Sequence, residues 1–149
     1  MYERILVPVD GSATANIGLE EAIKLAQLTG ATVRLIHVVE ELILATGYEG
    51  YAFDTAGLLE SLLKAGKGVL EQAKAKVEAA GVKVETVMVE RMASRASDAV
   101  IDEAVQWKAE LIVIGTHGRR GMSRIILGSD AEQIVRLSPV PVLLVRSSD

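Results

Sequence analysis

The stretch Gly115-Thr116-His117-Gly118-Arg119-Arg120-Gly121-Met122-Ser123-Arg124-Ile125-Ile126-Leu127-Gly128-Ser129 gathers the residue types that hold a polyphosphate. Phosphate oxygens need inward-pointing backbone N–H groups with no Cβ in the way, and glycine permits that approach. They also gain from the positive end of a helix, and Ser129 stands where an amphipathic segment begins. Arg119, Arg120 and Arg124 add cations suited to bidentate phosphate contact. Each feature also has a purely structural reading. Glycines after a strand make turns, a serine ahead of a helix caps it, and arginines on a loop sit in solvent.

A second candidate is Asp10, which follows Pro8-Val9 and precedes Gly11-Ser12. It is either a polar contact for a ligand or the N-cap of the next helix. His117 has no metal-binding company, because the other histidine, His37, lies in a different segment and the chain has no cysteine. His37 reads as a hydrogen-bonded core residue and Trp107 as packing. Hydrolysis would need a positioned water with a base, or a metal held by carboxylates. Asp10 and Asp130 are the obvious acids near the loop, and no nucleophile–base pair is recognisable. Neither a Gly-x4-Gly-Lys-Ser/Thr phosphate loop nor a Gly-x-Gly-x-x-Gly dinucleotide fingerprint is present.

The elements that must position these residues alternate in type. Apolar runs at Arg4–Val9, Thr32–Val39, Val82–Val89, Leu111–Ile114 and Val140–Val145 read as strands. Helical spacing over Thr14–Thr29, Leu58–Ala80, Ser97–Lys108 and Ser129–Leu137 fills the gaps, with Gly30 and Gly81 as stops. Lys67–Glu71 and Lys74–Glu78 are spaced to support the second helix, whereas Gly66 and Gly68 each weaken it by roughly 1 kcal/mol relative to alanine. Continuous apolar strands separated by helices indicate a parallel sheet covered on both faces: a three-layer α/β/α sandwich with five mostly parallel strands, Rossmann-like. Ligands of such sheets bind beyond the carboxyl ends of the strands, where strand order reverses. Pro8–Asp10 and Gly115–Ser129 both stand at such ends. Glu40–Gly57, with Tyr48, Tyr51 and Phe53, reads as a long surface loop that is either functional or mobile.

With 149 residues, 50% of them hydrophobic, the chain has the material for one domain with a sizeable core, taken as residues 1–149. No apolar run approaches the roughly 18 residues of a spanning helix, and the charged start Met1-Tyr2-Glu3-Arg4 does not read as a signal peptide. A net charge of −4 and 3% aromatics argue against nucleic-acid and membrane partners. The absence of cysteine allows a reducing compartment. The expected location is the cytoplasm.

Gly115, two residues, Gly118, nine residues, Gly128-Ser129 resembles the ATP-binding motif of the universal stress protein family. The resemblance runs along the whole chain, through Ile5-Leu6-Val7-Pro8-Val9-Asp10-Gly11-Ser12, Leu35-Ile36-His37-Val38, Ile114-Gly115-Thr116-His117-Gly118 and Pro139-Val140-Pro141-Val142-Leu143-Leu144-Val145. It implies an adenine nucleotide alpha hydrolase-like fold and a nucleotide-dependent regulator. By position, Pro8, Val9 and Val38 would line the adenine pocket, Val38 through its backbone, with Asp10 on the ribose and adenosine side. Gly115, Thr116, His117, Gly118, Arg119, Gly128 and Ser129 would hold ribose and phosphates, and Ile114 would bind the nucleotide beside them. ATP with Mg2+ or Mn2+ on its phosphates is the implied cofactor, and a homodimer through Val140–Val145 the implied assembly. That last segment is apolar on both faces and would form a sheet edge, a hazard unless paired.

Two departures from the family pattern bear on the site. Glu90-Arg91-Met92-Ala93 replaces the glycine and proline that many members carry after the third strand, and Asp130 puts a carboxylate directly behind Ser129. Two other readings stay open: a dimeric interaction module without nucleotide, and an enzyme of the related adenine-nucleotide α-hydrolases. The Ser-Gly-Gly-x-Asp-Ser loop of that group's pyrophosphatase branch is missing from Val9-Asp10-Gly11-Ser12-Ala13-Thr14.

Overall fold

The computed structural model describes residues 1–40, 55–91, 95–118 and 125–147. In chain order the elements are β1 (Arg4–Pro8), α1 (Ala13–Thr29), β2 (Thr32–Glu40), α2 (Thr55–Ala79), β3 (Lys83–Arg91), α3 (Ala96–Trp107), β4 (Leu111–Gly118), β5 (Ile125–Ile126), α4 (Ser129–Leu137) and β6 (Val142–Arg146). Five strands make one parallel sheet in the order β3-β2-β1-β4-β6, as the alternating pattern predicts. The two-residue β5 pairs antiparallel with the end of β4.

Both faces of the sheet are covered, which is why its central strands read as unbroken apolar runs. Ile5, Val7 and Val9 of the first strand segment pack with Leu19 and Ala22 of α1 and with Leu70 and Val77 of α2. Leu6 points the other way, into a second cluster with Ile36, Val100, Ala104, Ile112 and Ile134. Strand residues alternate between the clusters because successive side chains leave opposite faces.

Several local expectations are corrected. The fourth strand does not stop at Ile114 but continues to Gly118. Thr116 is buried there, takes the Ser147 N–H on its carbonyl at 3.3 Å, and reaches the Val145 carbonyl with its hydroxyl at 3.4 Å. The last strand begins at Val142 rather than Val140. The Ser138 hydroxyl bonds both the carbonyl (2.7 Å) and the N–H (3.1 Å) of Val140, which holds the proline-flanked segment in a turn. Lys67–Glu71 and Lys74–Glu78 form no ion pairs among the described residues, and exposed pairs of that kind contribute little in any case.

The second helix starts at Thr55, earlier than Leu58, and keeps its weak-propensity glycine for a reason. A Cβ on Gly66 would lie 2.6 Å from Cδ2 of His37 and 3.0 Å from Sδ of Met88. Glycine lets α2 lie directly on the imidazole. At the opposite end of the sheet from the glycine-rich segment, Arg34 bonds Glu103 at 2.5 Å and Glu85 at 2.9 Å, with its guanidinium 4.6 Å from the Trp107 ring centroid. Burial opposes the Arg34 charge, but the two carboxylates outweigh it and hold its pKa above the usual value. Trp107 is thus packing, with a cation–π contact in addition.

Candidate functional site

The two central strands part at their carboxyl ends. β1 pairs with β4 only at Ile5–Leu111 and Leu6–Ile112, yet stays with β2 as far as Pro8–Ile36. Pro8 has no N–H to offer β4, and the N–H of Val9 is taken by the Ile36 carbonyl at 2.9 Å. The sheet therefore splits where its strand order reverses, the place at which open α/β sheets bind ligands. A cleft of about 450 Å³ fills the split, within the roughly 300–1,000 Å³ typical of small-molecule sites.

Strand ends and helix starts line it together. Pro8, Val9, Ile36, Val38, Ile114 and Thr116 come from the sheet; Ala96 and Val100 from α3, and Ala131 and Ile134 from α4, add an apolar flank. Asp10, Ser12 and Thr14 stand on the β1–α1 side, Gly128, Ser129 and Asp130 on the α4 side. One apolar slot bounded by two polar shelves suits a flat heterocycle carrying a polar tail.

The β1–α1 shelf is braced by its own side chains. Gly11 has φ +83°, a left-handed turn that glycine takes without strain. Oδ1 of Asp10 accepts the N–H of Ser12 at 2.9 Å, and Oγ of Ser12 accepts the N–H of Ala15 at 3.1 Å. Ser12, not Asp10, is the helix cap; the exposed Asp10 carboxylate fixes the turn and faces the cleft. Behind this shelf His37 Nδ1 lies 2.8 Å from the Val9 carbonyl. A carbonyl only accepts, so Nδ1 carries the proton. The histidine is half-buried and hydrogen-bonded, as its sequence position indicates.

The α4 shelf is built differently. Gly128, at φ −65° and ψ 162°, is the N-cap residue, and no side chain among the described residues caps this helix. Ser129 is therefore the first helical residue, and the structural reading of Ser129 as the cap is corrected. A Cβ on Gly128 would meet nothing within 4 Å, so no described part of the fold demands glycine there. Gly115 is the opposite case. A Cβ on it would stand 1.9 Å from the Thr14 carbonyl oxygen, and one on Gly18 would stand 2.7 Å from the Gly115 nitrogen. These two glycines let α1 cross β4 backbone to backbone.

Of the twelve positions singled out in the sequence, Pro8, Val9, Asp10, Val38, Ile114, Gly115, Thr116, Gly128 and Ser129 line this one cleft. His117 and Gly118 are placed by their backbone, opposite Ile126 and Ile125 in the β4–β5 pairing. Arg119 and the rest of residues 119–124 lie outside the described residues, as do Met92 and Ala93 and the aromatics of the 41–54 segment. At the departure after the third strand, Arg91 pairs with Asp102 of α3, and the Glu40 carboxylate accepts the Ala96 N–H at 3.2 Å. Sequence reasoning missed Ser12, Thr14 and the α3 flank. The available signal was topological: helix starts face the same end of the sheet as strand ends. Among the described residues no helix is long and apolar enough to cross a membrane.

Comparison with known proteins agrees with this geometry. The profile of the universal stress protein family matches residues 1–146. Universal stress protein MJ0531 of Methanocaldococcus jannaschii is 34% identical over 148 residues, 98% of this chain and 83% of that protein. The solved structure of the M. jannaschii protein MJ0577 is similar with a TM-score of 0.80 at 29% identity, covering 100% of this chain and 99% of that one. The universal stress protein of Archaeoglobus fulgidus in complex with dAMP shares the fold, with a TM-score of 0.70 at 24% identity over 97% and 98% of the two chains. A split parallel sheet of order 3-2-1-4-5, counting its five parallel strands, and a profile match along nearly its whole length carry one conclusion: the chain belongs to the universal stress protein family.

Proposed function

We propose that this protein is an adenine-nucleotide-binding regulator of the stress response, and that ATP, carrying Mg2+ or Mn2+ on its phosphates, occupies the cleft between β1 and β4. The observation that carries the reading is convergence: nine positions chosen from sequence, on β1, β2, β4 and α4 and the turns beside them, line a single cavity. Adenine fits the apolar slot of Pro8, Val9 and Val38; Asp10 is an acceptor for ribose hydroxyls. The phosphates belong at Gly128 and Ser129, where a helix start lacks a side-chain cap and glycine leaves open space. The dAMP complex of the A. fulgidus relative supports an adenine nucleotide in this fold.

No group of three His, Cys, Asp or Glu side chains that would hold a metal occurs among the described residues. A divalent ion would therefore draw most of its ligands from the phosphates, with Asp10 or Asp130 as the protein's contribution. Such an ion would neutralise phosphate charge. No nucleophile–base pair is recognisable in the sequence, so the proposed role is binding, with slow hydrolysis at most.

The proposed assembly is a homodimer through 140–145. The edge strand β6 pairs with β4 alone among the described strands and leaves Leu143 37% exposed, while Val135 and Leu137 of α4 are also exposed. An unpaired apolar edge is stabilised by pairing with a second copy. The proposed location is the cytoplasm.

Denaturing the purified protein and identifying released nucleotide by chromatography tests the binding proposal. An adenine nucleotide is expected; failure to release one, together with no binding of added adenosine or ATP in calorimetry, leaves the interaction-module reading in its place.

A further inference from the structure

Among the described residues lining the cleft, the charged side chains are Asp10 and Asp130, both negative, with no lysine or arginine. The two carboxylates also differ in employment. Both are exposed, but Asp10 is engaged by the Ser12 N–H, whereas Asp130 stands at the second position of α4, directly behind Ser129. The first turn of α4 carries a further acid, Glu132, and the first turn of α1 carries none. The positive end of α4 is thus already answered by the protein's own carboxylates. An anion arriving there meets a like charge in a partly enclosed space, where screening is weaker than in bulk water.

We propose that Asp130 is a specificity-determining residue that makes this cleft take its nucleotide as the divalent-metal complex and reject metal-free polyphosphate. The inference rests on the nucleotide reading above and adds to it. Metal-free ATP brings its full phosphate charge against Asp130. The metal complex brings about half of it, and turns a carboxylate beside the phosphates from a repulsive neighbour into an attractive one. Adenosine, with no phosphate, is indifferent to the charge at 130 and serves as the reference ligand. Whatever residues 119–124 contribute is common to the unmodified chain and to a variant at 130, so the comparison isolates this position.

The test is calorimetric titration of the unmodified protein and of Asp130→Asn with adenosine, with ATP in excess EDTA, and with ATP in excess Mg2+. The variant should bind metal-free ATP about tenfold more tightly relative to adenosine than the unmodified protein does, and its affinity gain from Mg2+ should shrink by a similar factor. A salt series on both proteins gives a second readout. Relative to adenosine, rising salt should favour metal-free ATP more in the unmodified protein than in Asp130→Asn, because screening relieves a repulsion that the variant lacks. Adenosine binding with an unchanged Mg2+ dependence in Asp130→Asn, or the same salt dependence of metal-free ATP binding in both proteins, overturns the role of Asp130 and leaves the nucleotide site standing. If neither protein binds any of the three ligands, the nucleotide reading itself fails, and this inference with it.

Discussion

The two shelves of the cleft solve the same local problem in opposite ways. Each is a helix start at the carboxyl end of the sheet, and each has N–H groups that the helix itself does not satisfy. At α1 the protein satisfies them internally, with Ser12 on the Ala15 N–H and Asp10 on the Ser12 N–H. At α4 no described side chain caps the helix, and Gly128 leaves open space where a side chain would stand. The lesson concerns where a fold keeps capacity for a ligand. A turn closed by its own side chains contributes shape and a fixed carboxylate, while an uncapped helix start retains donors for a guest. The glycines divide the same way: Gly115 is demanded by the crossing of α1, Gly128 by nothing in the described protein.

Substitutions can break this division, the severest first. Gly115→Val should destabilise the protein by at least about 3 kcal/mol in urea unfolding, since its Cβ would have to displace the Thr14 backbone. A stable Gly115→Val protein that merely loses nucleotide would move Gly115 to the ligand side of the comparison. Ser12→Ala removes a working cap and should cost about 1 kcal/mol of stability; a change below a few tenths would mean that α1 is not held as described. Asp10→Asn keeps an acceptor for the Ser12 N–H and removes the charge. It should leave the melting temperature nearly unchanged while altering adenosine and ATP affinity in the same direction; an effect confined to ATP would shift Asp10 from the ribose to the phosphates. Ser129→Ala should alter stability least, within about 0.5 kcal/mol, because its hydroxyl caps nothing. Its effect should appear in nucleotide affinity, and a stability loss like that of Ser12→Ala would restore it as a cap.

The layered architecture was legible because buried parallel strands leave a coarse signal. Ile5–Val9 and Leu111–Ile114 are apolar at successive positions, which a sheet facing water on one side does not require. Boundaries were less legible where a distant partner decides them. Glycine, threonine and histidine after Ile114 read as loop, yet pairing with β5 and β6 extends β4 through them. At the site, spacing identified Gly128-Ser129 and Pro8-Val9-Asp10, but not why each residue is there. That Gly115 answers to Thr14, and Gly66 to His37, depends on helices crossing strands far away in sequence. Local propensity marks such glycines only as weak points. The contribution of α3 through Ala96 and Val100 was equally hidden, because small and branched apolar residues on a helix face look alike whether they meet a core or a cleft.

Calorimetric titration of Gly128→Val with ATP and Mg2+, beside the unmodified protein, tests the central claim most directly. The backbone angles at 128 suit valine and its side chain would point into open space, so the variant should fold, losing about 1 kcal/mol or less as the poorer N-cap residue. The account predicts about one ATP site per chain in the unmodified protein and at least a tenfold loss of affinity in the variant, with Gly128 at the phosphates. A valine variant that binds ATP as tightly as the original would contradict it.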